Sequence, residues 1–337
     1  MRPPRVLARP LALALALVVL LPALAAADAI REWPAMGTRI RLRVRGDGPD
    51  AESAADAMSA AARDAFAAVE SATSAFLPGA PLDRLARAAG TGEWIPVPPA
   101  FDAALDTALE TTEASGGAFN PLVAPLMERH GHPRRPPDTA SPTPPPPPPP
   151  SSSAPVPPAL LDVRNIDRRP GACRLLLPGM RLDLGGVAKG TGADLAAAAA
   201  RAAAPNDFLL DAGGTLLGRG NWTIGLRDPR APAGAAAPPL RPFTLPDGLA
   251  CATSGAYERP GHLIDPRTGA PPAAPVLQAT ALAPTAARAD AWSTALYILG
   301  PAAAADLLPT LPDPPAAAWV LPPPAPKPPS TECRTKP

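Results

Sequence analysis

The sequence predicts a single α+β domain on three observations. Strand-like alternation and helical patterns are mixed along the chain without a regular βαβ repeat, which favours a mixed sheet with helices packed on it. Apolar residues make up 46% of 337, enough for one sizeable core. Proline contributes 54 residues and aromatics only 4%, so part of the length is extended segment and the folded core is smaller than the count implies.

The chain opens on Arg2, Arg5 and Arg9, an apolar run over 11–24, and then Ala25-Ala26-Ala27-Asp28-Ala29. Basic, apolar and small residues in that order form a secretory signal, here residues 1–27. The alternative is an uncleaved anchor, but the run is shorter than the roughly 20 apolar residues of a membrane span. No cysteine follows the run, which argues against a lipid anchor. The mature protein is expected to be exported, to the periplasm or the outer face of the inner membrane. Removing three of the 31 basic residues leaves 28 against 30 acids, a net charge of −2. That excludes a strongly basic nucleic-acid binder, and no nucleic acid is expected as partner.

After Gly37, residues 38–45 alternate apolar and basic positions, as a strand with one wet face does. An alanine-rich helix is predicted over about 50–74, and a second over 99–115 that stops at Gly116-Gly117. Residues 133–158 are almost wholly Pro, Ser and Thr, with seven consecutive prolines at 144–150. Proline lacks the N–H donor and fixes φ, so this stretch is neither helix nor sheet. It reads as a solvated, disordered surface insertion dividing the domain into 28–132 and 159–308, or else as a partner-binding or wall-spanning segment. Short strand-like runs follow at 160–166 and 173–177, then a glycine-rich segment and a helix over 191–204. Strands are predicted near 208–210 and 222–226, linker-like sequence over 229–248, and a last strand–helix unit over 276–299. Prolines recur from Pro309, giving a disordered tail over 309–337. Cys173, Cys251 and Cys333 are too scattered for a zinc site, and their odd number leaves at least one unpaired. A Cys173–Cys251 disulfide and two buried thiols are both open.

Three segments carry chemistry. Asp183-Leu184-Gly185-Gly186-Val187-Ala188-Lys189-Gly190 runs directly into an alanine-rich helix, so backbone N–H groups and the positive helix end can face a phosphate, with Lys189 as a point charge. Gly213 and Gly214, in Asp211-Ala212-Gly213-Gly214-Thr215, repeat the device, although either glycine pair can be an ordinary turn. Asp290 and Thr294 stand at i and i+4 and share a helix face. Carboxylate, hydroxyl and backbone carbonyls form a hard-oxygen set that suits Mg²⁺. The plainer alternative is an acid on the helix dipole and a threonine bonded to its own backbone. His262 precedes Asp265-Pro266-Arg267-Thr268-Gly269, a tight turn, and can act as a general base on a hydroxyl or be a lone surface histidine. His130 and His132 read as loop residues.

Taken in order, Met36-Gly37-Thr38, Ser115-Gly116-Gly117-Ala118-Phe119-Asn120-Pro121, the 183–190 and 211–214 segments, Thr253-Ser254-Gly255-Ala256-Tyr257-Glu258-Arg259, residues 262–269, and Ala289-Asp290-Ala291-Trp292-Ser293-Thr294 resemble the ApbE family of FAD:protein FMN transferases, over about residues 30–300. The resemblance implies a T-fold-like domain and Mg²⁺-dependent transfer of FMN from FAD, the substrate, to a Thr or Ser hydroxyl. The product would be a phosphoester, AMP would leave, and the acceptor would be a protein subunit of a membrane redox complex. It also implies that Asp290, Thr294 and the Ala188 carbonyl hold the metal, and that His262 and Asp265 lie at the reacting phosphate. Met36, Gly37, Thr38, Gly185, Gly186, Lys189, Gly213, Gly214, Ser254 and Tyr257 would bind the flavin nucleotide. An FAD-binding or FAD-hydrolysing scavenger without acceptor, and a catalytically degenerate envelope protein, are the alternatives. Asn120, Leu122, Ala256 and Ala86 depart from the family pattern, which bears on flavin contacts more than on the metal.

Overall fold

Met36 and Gly37 turn the chain back on itself, so the expected first strand is a hairpin of β1 (Ala29–Ala35) and β2 (Thr38–Val44). Their φ values of 51° and 68° are both positive, as a two-residue hairpin turn matched to strand twist requires. In β2, Ile40, Leu42 and Val44 are buried while Arg39, Arg41 and Arg43 are exposed, the alternation read from the sequence. The computed structural model describes residues 28–132, 155–231, 239–256, 261–273 and 276–320.

Four helices follow the hairpin. Helix α1 (Gly48–Thr73) buries Ala51, Ala55, Met58, Ala62, Phe66 and Val69, a stripe at three- and four-residue spacing. Helix α2 (Pro81–Ala88) and the two-residue strand β3 (Ile95–Pro96) precede α3 (Pro99–Ala114), which ends at Gly116 and Gly117, both with positive φ. Helix α4 (Ala124–Arg129) leads to the proline-rich stretch. Beyond it come two short 3-10 turns, Pro158–Leu161 and Val163–Asn165, where a strand was expected over 160–166. Pro157 and Pro158 start the first turn, and Asp162 caps the second by accepting from the Arg164 N–H. Strands β4 (Ile166–Arg169) and β5 (Ala172–Leu175) then join β3 in a small sheet.

Helix α5 (Ala188–Ala203) packs against α1 and precedes β6 (Phe208–Ala212), β7 (Thr215–Arg219) and β8 (Trp222–Leu226). The span read as linker holds β9 (Arg241–Leu245), paired to β8. Then come β10 (Ala250–Gly255), β11 (Gln278–Ala283), α6 (Ala286–Leu307) with a kink at Gly300-Pro301, and β12 (Ala316–Val320). The large sheet runs β1-β2-β6-β7-β10-β11-β12, antiparallel throughout. One face buries Ile40, Leu42, Phe208 and Leu210 against α1 and α5; on the other, Leu209, Leu216 and Cys251 meet Trp222 and Ile224 of the β8–β9 hairpin. No helix among the described residues is long and apolar enough to cross a membrane.

Two boundaries move. The tail expected from Pro309 contributes β12, because the short run Ala316-Ala317-Ala318-Trp319-Val320 pairs with β11 and Trp319 donates from Nε1 to the Leu296 carbonyl at 3.1 Å. Val156, assigned to the insertion, packs with Leu161 on Leu126, Met127 and Ile264. Residues 133–154 lie outside the described residues; deleting 136–152 is expected to leave the melting temperature within about 3 °C, since shortening the chain between two fixed points changes closure entropy little. Extending the deletion through Val156 should lower it further, as calorimetric melting would show.

Cys173 lies in β5 and Cys251 in β10, in separate apolar clusters, and both are free thiols. Burial pushes each up to about 12. Buried and held protonated, both should escape iodoacetamide in the folded protein at pH 8 and be labelled in urea, read by peptide mass. Cys333 lies outside the described residues.

Candidate functional site

The site forms where the first turns of α5 and α6 cross. No side chain at Val187 caps α5; instead the Gly190 N–H donates to Asp290 Oδ2 at 3.0 Å, four residues into α6. The arrangement is reciprocal. Asp194, four residues beyond Gly190, accepts from the N–H groups of Ala286 at 2.8 Å and Ala287 at 2.9 Å, which open α6. Each helix thus places a carboxylate at the positive end of the other. The crossing needs a bare backbone at Gly190, where a Cβ would overlap the Ala286 carbonyl.

Asp290 is 4% exposed, and Lys189 Nζ lies 3.2 and 3.4 Å from its two oxygens. Burial pushes this carboxyl up, while Lys189, the Gly190 N–H and the Thr215 hydroxyl oppose the shift. Lys189 is therefore turned onto Asp290, and the α5 N-terminus, expected to face a phosphate, already faces a carboxylate. Thr215, the last residue of the second glycine segment, arrives from the β6–β7 turn. That turn is Gly213-Gly214, with φ of 62° and 93°, and the Gly214 N–H donates to Asp211 Oδ1 at 3.0 Å. Thr38 sits against Gly213, and Met36 Sδ against Gly192 of α5, so the 36–38 and 213–214 turns meet beside the same helix.

One turn along α6, three hydroxyls gather. Ser254 Oγ on β10 lies 2.7 Å from Ser293 Oγ and 3.2 Å from Thr294 Oγ1. Ser293 Oγ donates to the Asp290 carbonyl at 2.8 Å. The back-bond to the helix is thus made by Ser293, and Thr294 is bonded to Ser254. Above them runs the glycine turn, which enters α5 at Ala188: a Cβ on Gly186 would lie 3.5 Å from Thr294 Oγ1 and 2.9 Å from Phe119 Cε2. The Gly185 N–H is fixed by Asp183 Oδ1 at 2.8 Å.

The His262 loop is built separately. Asp265 is 6% exposed and accepts from the Arg267 side chain at 2.9 and 2.8 Å and from the Arg267 N–H at 2.9 Å. Its carboxylate closes its own turn. His130 Nε2 lies 2.9 Å from the Gly269 carbonyl, and His132 stands beside Gly261. The two histidines read as loop residues therefore border the loop that carries the third. Arg267 abuts Gly117, and Phe119 of the same motif lies on Gly186, so contacts lead from this loop to Thr294. Asn120 bonds the Leu122 N–H and the Leu161 carbonyl, both at 2.8 Å, which ties this turn to the segment after the insertion. Tyr257 lies outside the described residues.

The sequence model of the ApbE family matches residues 36–318. An FAD:protein FMN transferase of Treponema pallidum is 30% identical over 233 residues, 59% of this chain and 59% of that protein. One of Rhodobacter capsulatus is 31% identical over 239 residues, 67% of this chain and 43% of that protein. The chain thus spans less than two thirds of the length of these relatives. In fold it is similar to the apo flavinyl transferase ApbE of Pseudomonas stutzeri, with a TM-score of 0.70 at 20% identity, covering 88% of this chain and 94% of that one.

Proposed function

The chain belongs to the ApbE family, and on that premise we propose that it transfers FMN from FAD to a Thr or Ser hydroxyl of an exported or membrane-bound protein. The hydroxyl oxygen bonds to the phosphorus of the FMN half, the pyrophosphate P–O bond breaks, and the bridging oxygen leaves with AMP. The hydroxyl proton passes to His262. The observation that carries this reading is the convergence of Asp290, Thr294 and Ser254 under the Gly185-Gly186 turn.

The donor set fits a hard divalent cation. Asp290 brings a buried carboxylate whose ionisation calls for positive charge, and Thr294, half-buried, brings a hydroxyl oxygen. Asp290, Thr294 and the Ala188 carbonyl would hold Mg²⁺, which when bound supplies a Lewis acid against the pyrophosphate charge. The chain's own residues do the rest. Lys189 adds a cation beside Asp290, the Gly185-Gly186 turn would bring backbone close to a phosphate, and the Asp265–Arg267 pair closes the turn that follows His262.

A subunit of a membrane redox complex is the acceptor this reading supports, and residues 1–27 support export. N-terminal sequencing of the secreted form should begin near Asp28 or Ile30. The decisive experiment incubates the protein with FAD, Mg²⁺ and a candidate acceptor, and follows AMP release and flavin fluorescence of the acceptor on a denaturing gel. AMP with free FMN and a dark acceptor would establish FAD hydrolysis instead. Failure to bind FAD would identify a catalytically degenerate protein.

A further inference from the structure

We propose that Ser293 acts as a positioning residue: through Ser254, it fixes the direction of the Thr294 hydroxyl and leaves that oxygen's lone pairs turned to a cation. The inference rests on the metal-site reading above and extends it to a residue that reaches no ligand. Ser293 is fully buried.

The argument is a count of hydrogens, since each hydroxyl has one to donate and two lone pairs. The Asp290 carbonyl can only accept, so Ser293 Oγ at 2.8 Å spends its hydrogen there. In the 2.7 Å contact between Ser254 and Ser293, the donor must then be Ser254. With that hydrogen used, Ser254 can only accept from Thr294 at 3.2 Å. The chain runs Thr294 to Ser254 to Ser293 to the Asp290 carbonyl, and each donation strengthens the next. Thr294 points its hydrogen inward and keeps both lone pairs for a ligand. Without Ser293, Ser254 is free to donate back to Thr294. The threonine hydrogen then competes for the direction a cation needs.

The test is Mg²⁺ titration calorimetry of the protein, run for each variant at saturating FAD so that any flavin contact of Ser254 drops out, beside melting of each variant without metal. Ser293→Ala is expected to weaken Mg²⁺ binding roughly tenfold, at the lower end of the effect of outer-shell partners. Ser254→Ala should cost only about twofold, below that range, because Thr294 then rotates freely. The double variant should match Ser254→Ala, so that removing a second hydroxyl restores affinity, an outcome that loss of packing at Ser293 does not produce. If Ser293→Ala binds like wild type, or the double variant is as weak as Ser293→Ala, the relay is overturned while the metal site stands. Asp290→Ala separates the two cases: wild-type Mg²⁺ binding by that variant removes the metal site and the relay together.

Discussion

Asp290→Ala should abolish metal-dependent transfer, whereas Asp194→Ala should leave transfer in place and cost more stability. The two aspartates are structural counterparts, each capping the other's helix. Asp194 holds two main-chain N–H groups, and its loss leaves both without a partner at about 1–3 kcal/mol each. Asp290 holds one main-chain N–H together with Lys189, and a lost cap costs about 1 kcal/mol. Burial pushes both carboxyls up, so the folded state binds these protons more tightly than the unfolded chain. That contribution favours folding below the unfolded value and is lost as pH rises through the folded one. In its charged form Asp290 carries a burial cost that its removal relieves. Urea unfolding and acceptor fluorescence should order the variants oppositely. Equal loss of transfer in both would reduce Asp290 to a helix cap and withdraw the metal assignment.

His262→Ala is expected to slow transfer by about 10²–10⁴-fold, the usual range for a positioned general base, with Mg²⁺ and FAD binding retained. Arg267→Ala provides the comparison. It leaves the buried Asp265 carboxylate without its guanidinium, so the loop loosens and melting falls along with the rate. Single-turnover rates with added imidazole distinguish them, because a small base can replace a missing side chain but cannot rebuild a loop. Wild-type turnover by His262→Ala would eliminate it as the base.

Local pattern carried much of this architecture. The alternation in β2, the stripe of α1 and the glycine stop of α3 depend on neighbours within a turn or a pleat, and all three are read directly from residue spacing. So is the shared face of Asp290 and Thr294, fixed by helical period. The partners of those residues are different in kind. The bond from Gly190 to Asp290 spans 100 positions, and Thr215 reaches Asp290 only because the β6–β7 turn and α6 are brought together by the sheet. Ser293 sits between two residues of recognised type, and its role depends on β10 supplying Ser254. Composition misled in two places, where five-residue strands at 241–245 and 316–320 lie within proline-rich surroundings. Asp265 accepts from Arg267 only two residues on, a local pairing that the Asp-Pro-Arg-Thr-Gly turn itself makes available.

The exchange of caps between α5 and α6 makes occupancy and cohesion a single thermodynamic quantity. A site on one loop can empty without disturbing the domain, but this one exists only while two distant segments stay crossed. Whatever fills it pulls on the same equilibrium that holds the fold closed, by about 2.7 kcal/mol at a hundred times the dissociation constant. Without a ligand, the crossing is held by the two exchanged caps and the packing around them. On the proposed function, the supply of ligand then governs how long the protein lasts as well as how fast it works.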